Sequence, residues 1–258
     1  MKTMLRAGVV ALAVAPALAV AQDSLSFSAA VDLNYKQLDQ STVFVNTSTG
    51  VGTTNEFSPK LWTLNLSPSL SWKGVFLTAA FERSLGDASV SEPTSGGWND
   101  RRYSREENSV TLGYAWRGFA AFVGYLDNTT TTNVTQISNA GVASLSTTEV
   151  TEQGPYLGVG YSYRFSSGGS IAASIAVTRA DGSSQTRNSN ASLNNQGDGD
   201  VEGTSYGLSW SAPLTGSLFY RLGLKATRYD FKFTDNLGFP RQTKQNYDAF
   251  YLGVANYF

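Results

Sequence analysis

From residue 25 onward this chain repeats one pattern: a stretch with large apolar side chains at every second position, a connection, then another such stretch. Alternation with a period of two marks an extended strand with one apolar and one polar face. Leu25, Phe27, Ala29, Val31, Leu33 and Tyr35 oppose Ser26, Ser28, Ala30, Asp32, Asn34 and Lys36. Further on, Trp62, Leu64, Leu66, Leu70 and Trp72 oppose Thr63, Asn65, Ser67, Ser69 and Ser71. The connections alternate as strictly as the side chains. Those at 38–56, 86–108, 128–153, 180–202 and 233–244 are long and polar, and those at 73–74, 117–118, 166–169 and 213–216 are tight. A soluble sandwich has no reason to sort its connections by length. A sheet whose two ends face different surroundings does.

The amino terminus supplies the route to such surroundings. Lys2 and Arg6 precede an apolar stretch over 7–19, and Ala19 and Ala21 flank Val20, so residues 1–21 read as a secretory signal peptide cut after Ala21. That stretch is shorter than the roughly 20 residues a spanning helix needs, and no later one reaches that length. A membrane-spanning form of this chain must therefore be a closed barrel, the other fold that satisfies every backbone group in lipid. A mean hydropathy of −0.19 does not oppose this, because alternating faces cancel in an average.

Composition removes whole classes of chemistry. Loss of Lys2 and Arg6 with the signal leaves 17 of the 19 basic residues against 20 acidic ones, a net charge of −3 with no basic stripe to meet nucleic acid. There is no Cys and no His. Disulfides and thiolate metal sites are excluded, and so are the commonest general base and the commonest zinc ligand.

The closing stretch sets Phe250, Leu252, Val254, Asn256 and Phe258 on one face and Ala249, Tyr251, Gly253, Ala255 and Tyr257 on the other. Together with the signal and the loop rhythm, it resembles the last strand of the Gram-negative outer-membrane β-barrels. The resemblance implies an all-β fold, an antiparallel transmembrane β-barrel of about ten strands. Eight or twelve follow if the connections at 38–56 or 128–153 hide strand pairs or if 119–127, apolar on both faces, is misread. It implies one domain over 22–258 with five long extracellular loops, both chain ends on the periplasmic side, and residence in the outer membrane. The implied partners are outer-membrane lipids, lipopolysaccharide and the barrel insertion machinery, which recognises a terminal aromatic, here Phe258. No cofactor is implied.

Within that frame, the lumen faces carry Asp32 and Lys36, Glu82, Arg164, and Arg221 and Lys225. Charges inside a narrow barrel pair with one another before they hold water, so Asp32, Glu82, Arg221 and Lys225 form a candidate lumen cluster. A selectivity ring is the alternative. Asp198, Asp200 and Glu202 are a weak candidate for Ca²⁺, lacking the full loop pattern. Arg101, Arg102 and Arg105, beside Asp100, Glu106 and Glu107, read as a loop of mixed charge that could touch lipopolysaccharide phosphates. Pro68 cannot donate to a ladder and predicts a bulge or bend. Three functions remain: a non-enzymatic barrel with binding or structural loops, a small porin-like channel, and an enzyme like the ten-stranded omptin proteases. The last is disfavoured, because their mechanism needs His.

The resemblance generates a test of the terminus. Deleting Phe258 is expected to reduce barrel assembly several-fold, read as loss of heat-modifiable migration from outer-membrane fractions. Unchanged assembly contradicts the assignment.

Overall fold

A computed structural model of the protein describes residues 24–45, 52–94, 97–166, 168–236 and 240–258. The expected signal peptide, 1–21, lies outside them. The strands in chain order are β1 Ser26–Val45, β2 Gly52–Phe57, β3 Lys60–Trp72, β4 Val75–Ser84, β5 Ala88–Thr94, β6 Gly97–Trp116, β7 Phe119–Ser138, β8 Ala143–Arg164, β9 Ser170–Asn188, β10 Asn195–Thr215, β11 Leu218–Asp235 and β12 Pro240–Tyr257. A short 3₁₀ turn, Ala191–Leu193, lies between β9 and β10.

These strands make ten staves of an antiparallel ring. β2 and β3 pair with β1 in one continuous register, Gln40 facing Phe57 and Gln37 facing Lys60, so Ser58 and Pro59 merely interrupt a single stave. β5 continues β4 against β6 after a shift: Arg83 faces Glu106, whereas Ala88 faces Tyr103. The shift is even, so the inner and outer faces carry through the break. β12 returns to β1 from Ser28 facing Tyr257 to Phe44 facing Arg241. The Phe258 amide donates to the Phe27 carbonyl at 2.8 Å, and the two rings meet at a tilt of 32° with centres 5.5 Å apart. The membrane-crossing portions close with no unpaired edge, which is the condition for a sheet in lipid, while the extensions β2 and β5 pair only with β1 and β6.

The two faces are those the alternation predicts. Outside, Leu64, Leu112, Leu157 and Leu252 are between 43% and 57% exposed, alongside Trp62, Trp72, Trp116 and Trp210. A continuous apolar belt of this extent is unstable in water and is what a bilayer solvates. The belt ends at a collar that includes Arg83, Glu106, Asp127, Gln153, Arg179, Arg228 and Asp248, with Arg83–Glu106 at 3.3 Å and Arg228–Asp248 at 2.7 Å. From the tight turns to this collar each stave uses about ten residues, the number a tilted strand needs to cross.

Yet β8 has 22 residues and β10 has 21. The excess is the first correction to the sequence reading. The long connections are mostly hairpins that carry the same staves beyond the membrane, and the segments between them shrink to residues such as 139–142 and 189–194. Two of the tight connections, Lys73–Gly74 and Arg117–Gly118, have positive φ at both residues, a two-residue hairpin bend. Pro68 makes no bulge: Ala29 faces it in unbroken register, and the ladder to β4 simply omits rungs between Leu66 and Ser69. The register shift occurs instead between Pro213 and Thr215. β7, left open by its two apolar faces, points Phe122 and Leu126 inward, both buried, and Val123 and Tyr125 outward.

Leu222 sits mid-belt, facing Leu252 and Trp210 on the neighbouring staves. Leu222→Arg is expected to lower unfolding free energy by roughly 2–4 kcal/mol in a lipid-based urea titration; a neutral effect would show that β11 presents its other face to lipid.

Candidate functional site: a sealed lumen beneath an open cup

Inward side chains meet in a narrow bore, so charge placed there must find its counter-charge on another stave. Eight ionisable side chains do so. Lys36 on β1 reaches Glu82 at 2.6 Å and Glu107 at 2.7 Å, and Thr63 donates to Glu82 from β3. Arg105 on β6 donates its Nε to Glu107 at 2.8 Å. Its two terminal nitrogens donate to both oxygens of Glu152 on β8, at 3.0 and 3.1 Å. Lys225 on β11 completes the circuit to Glu107 at 3.4 Å. Arg221 pairs with Asp32 at 3.3 Å, and Asn65 donates to the same carboxylate at 3.1 Å. Four cations and four anions thus cancel, each paired, which is what low-dielectric surroundings demand.

The network sits near the collar, since Glu107 and Glu152 adjoin the outward Glu106 and Gln153. Aromatic rings roof it. Arg105 lies 4.4 Å from the centre of Tyr247, whose hydroxyl shares a 2.9 Å hydrogen bond with Tyr103. Glu152 and Tyr103 are both 0% exposed, so no water-sized probe reaches them from either end. Below the roof, a polar cavity of about 60 Å³ touches Asp32, Glu82, Lys225 and Tyr251, large enough for ordered water. The Oδ1 of Asp32 and the hydroxyl of Tyr251, which have no protein partner, belong to this space.

Above the roof the bore opens into a cup of about 300 Å³. Its floor is shared with the network: Thr130 accepts from Arg105 at 2.5 Å, and Gln245 accepts from Tyr247 at 2.8 Å. Of the 21 residues around it, eight are Ser or Thr and five Asn or Gln, including Thr132, Thr148, Thr186, Gln136 and Asn99. Phe57, Phe231 and Phe233 supply apolar wall, and Phe231 and Phe233 stack at 5.6 Å. Arg101 on β6 and Arg241 on β12 also line it. Arg101 pairs with Glu92 at 2.9 Å and lies 5.6 Å from the Phe57 ring.

All four members of the sequence-derived cluster, Asp32, Glu82, Arg221 and Lys225, enter this lumen, and Lys36 joins them. Arg164 keeps the inner face of β8 but lies at the tight-turn end, exposed and outside these ion pairs. Arg105, Glu107 and Glu152 fall in stretches whose sequence reads as loop, although they hold the network together. Their signal was parity: 101, 103, 105 and 107 continue the inner face of Ser109 and Thr111, and 152 continues that of Gly154 and Tyr156. The same parity divides the charged stretch, sending Arg101, Arg105 and Glu107 inside and leaving Asp100, Arg102 and Glu106 outside. Asp198, Asp200 and Glu202 stand in a row on the outer face of β10, successive members about 7 Å apart as alternate strand residues are. Lys232 reaches Glu202 at 3.3 Å. No group of three metal-ligating side chains converges among the described residues.

No family model and no curated protein matches the chain. Among solved structures its fold is similar to that of the outer membrane protease OmpT from Escherichia coli, at 10% identity and a TM-score of 0.62, over 90% of this chain and 97% of that one. It also aligns with the translocator domain of the autotransporter NalP from Neisseria meningitidis, at 10% identity and a TM-score of 0.42 over 88% of each chain. Neisserial surface protein A aligns at 11% identity and a TM-score of 0.32, over 89% of this chain and 96% of that one. The chain has the fold of a bacterial outer-membrane β-barrel.

Removing one partner of a buried, hydrogen-bonded pair strands the other. Arg105→Met is therefore expected to cost about 3–5 kcal/mol, and Arg105→Met combined with Glu152→Met to recover much of that loss. Urea unfolding followed by tryptophan fluorescence reads both; a double variant that loses the sum of the single losses contradicts the pairing.

Proposed function

We propose that the protein is a closed outer-membrane barrel that binds a small hydroxyl-rich solute at its extracellular cup, without transporting or transforming it. The observation that carries this reading is the make-up of the cup: thirteen hydroxyl and amide side chains and three phenylalanine rings, with no carboxylate, imidazole or thiol among the described residues lining it. Sugars and similar solutes present donors and acceptors at their edges and an apolar ring face. A wall of Ser, Thr, Asn and Gln beside flat aromatic surface complements both. The volume falls at the small end of ligand sites, roughly 300–1,000 Å³, and fits one or two rings.

Among the described residues no acid, imidazole or thiol lines the cup, and the nearby Glu92 is paired with Arg101, which supports binding without catalysis, since general acid–base chemistry needs a free group that titrates near the working pH. Protease activity belongs to OmpT; the chain has no His, and the carboxylates nearest the cup floor, Glu107 and Glu152, are committed to Arg105. The sealed layer beneath the cup supports a reading without transport. The tight-turn and hairpin ends are assigned to periplasm and exterior by the usual asymmetry of such barrels.

Isothermal titration of the detergent-solubilised protein with glucose, galactose and maltose tests the reading. At least one is expected to bind and to be recovered unaltered, with affinity falling at least tenfold in Thr132→Trp, which fills the cup without touching the charge network. Failure of all three, or equal binding by the filled variant, contradicts it.

A further inference from the structure

Near the tight turns the apolar belt thins on the staves β7 and β9. Outward positions on β7 and β9 carry Ala121 and Ala173 where neighbouring staves carry Leu, Ile, Val or aromatics, and the gap is walled by Tyr114, Trp116, Phe119 and Tyr161. The result is an almost wholly apolar groove of about 690 Å³ on the outer surface. Phe119 and Tyr161 hold one wall rigid, their rings 4.8 Å apart. Hydrocarbon fills such a groove at no desolvation cost, and a fixed groove orders a chain that the bulk bilayer leaves mobile.

The mouth of the groove carries a cation. Arg117 lies in the turn between the lining residues Trp116 and Phe119, with its guanidinium carbon 4.9 Å from the centre of the Trp116 ring. It adopts a φ of 48°, in a bend where Asn, Asp or Gly would be unstrained. The turn is pinned to β8 by the Ser162 amide, which donates to the Gly118 carbonyl at 2.7 Å. Arg117 is exposed, and among the described residues no carboxylate pairs with it. An arginine at the aqueous border of the belt, fixed beside an apolar groove, matches a phosphate joined to an acyl chain.

We propose that this groove is a binding site for one glycerophospholipid of the periplasmic leaflet, an acyl chain lying between Tyr114, Trp116 and Tyr161 and the phosphate meeting Arg117. The site is independent of the cup. It is also distinct from general lipid solvation, because it couples a shaped apolar volume to a placed charge.

Native mass spectrometry tests it, using protein reconstituted with phosphatidylethanolamine and phosphatidylglycerol and then released in mild detergent. Wild type is expected to retain one phospholipid per barrel. Ala121→Trp, which fills the groove, should reduce that adduct at least tenfold, and Arg117→Glu should reduce phosphatidylglycerol retention at least fivefold. Ala79→Trp, lipid-facing on β4 and outside the groove, should leave it unchanged. Heat-modifiable migration verifies folding, and Arg117→Glu, at an exposed turn, serves if the Ala121 variant does not fold. No retained lipid in wild type, equal retention in all variants, an adduct of lipopolysaccharide mass, or a second copy of the chain in its place would each overturn the proposal.

Discussion

Arg105 is the side chain on which the interior depends. It is buried, it cannot lose its proton, and burial of an unpaired guanidinium would cost more than a domain of this size can spare. The barrel meets that demand from four staves: Glu107 on its own strand, both oxygens of Glu152 two strands away, and the ring faces of Tyr247 on β12 and Tyr229 on β11, 4.4 and 5.8 Å distant. Each partner is then fixed by its own neighbours. Asn128 donates to Glu152 at 3.1 Å, and Lys36 and Lys225 share Glu107. A net charge of zero within the network lets the layer stand at the membrane border with little long-range field.

That layer divides one tube into two environments. Toward the tight turns the inner face is small, with Ser, Thr, Ala and Gly, and rings such as Tyr156 and Tyr251 lie over glycines. A Cβ at Gly124 would come within 2.3 Å of the Tyr156 ring, and one at Gly223 within 2.2 Å of Tyr251. Toward the hairpins the staves outrun the bilayer, and their inner face becomes the wall of the cup. Strand length thus links architecture to function: staves that ended at the collar would have left the network open to the exterior and no cup above it.

The faces of the membrane-crossing portions were legible because lipid on one side and bore on the other impose opposite polarities on alternate residues. Trp62 outward and Glu82 inward follow from that rule alone. Above the collar both faces are wet, so alternation of hydropathy disappears while the strand continues. A run such as 129–135, Thr-rich and therefore favourable to extended structure, consequently reads as loop. Arg105 and Glu152 were lost to that effect. Counting parity outward from Ser109 and from Tyr156 recovers both, although nothing in sequence alone says where the count should stop. Strand β7 failed for the opposite reason: Phe122 and Leu126 are apolar inside, packed against Tyr156 and the other buried rings, so neither face announced itself.

Whether the charge network closes the bore is read by single-barrel current recording in a planar bilayer. Wild type is expected to insert without a steady current at either polarity. Arg105→Ala combined with Glu152→Ala, which empties the centre of the layer, is expected to pass small ions. A reproducible steady current through the wild-type barrel would contradict a closed bore.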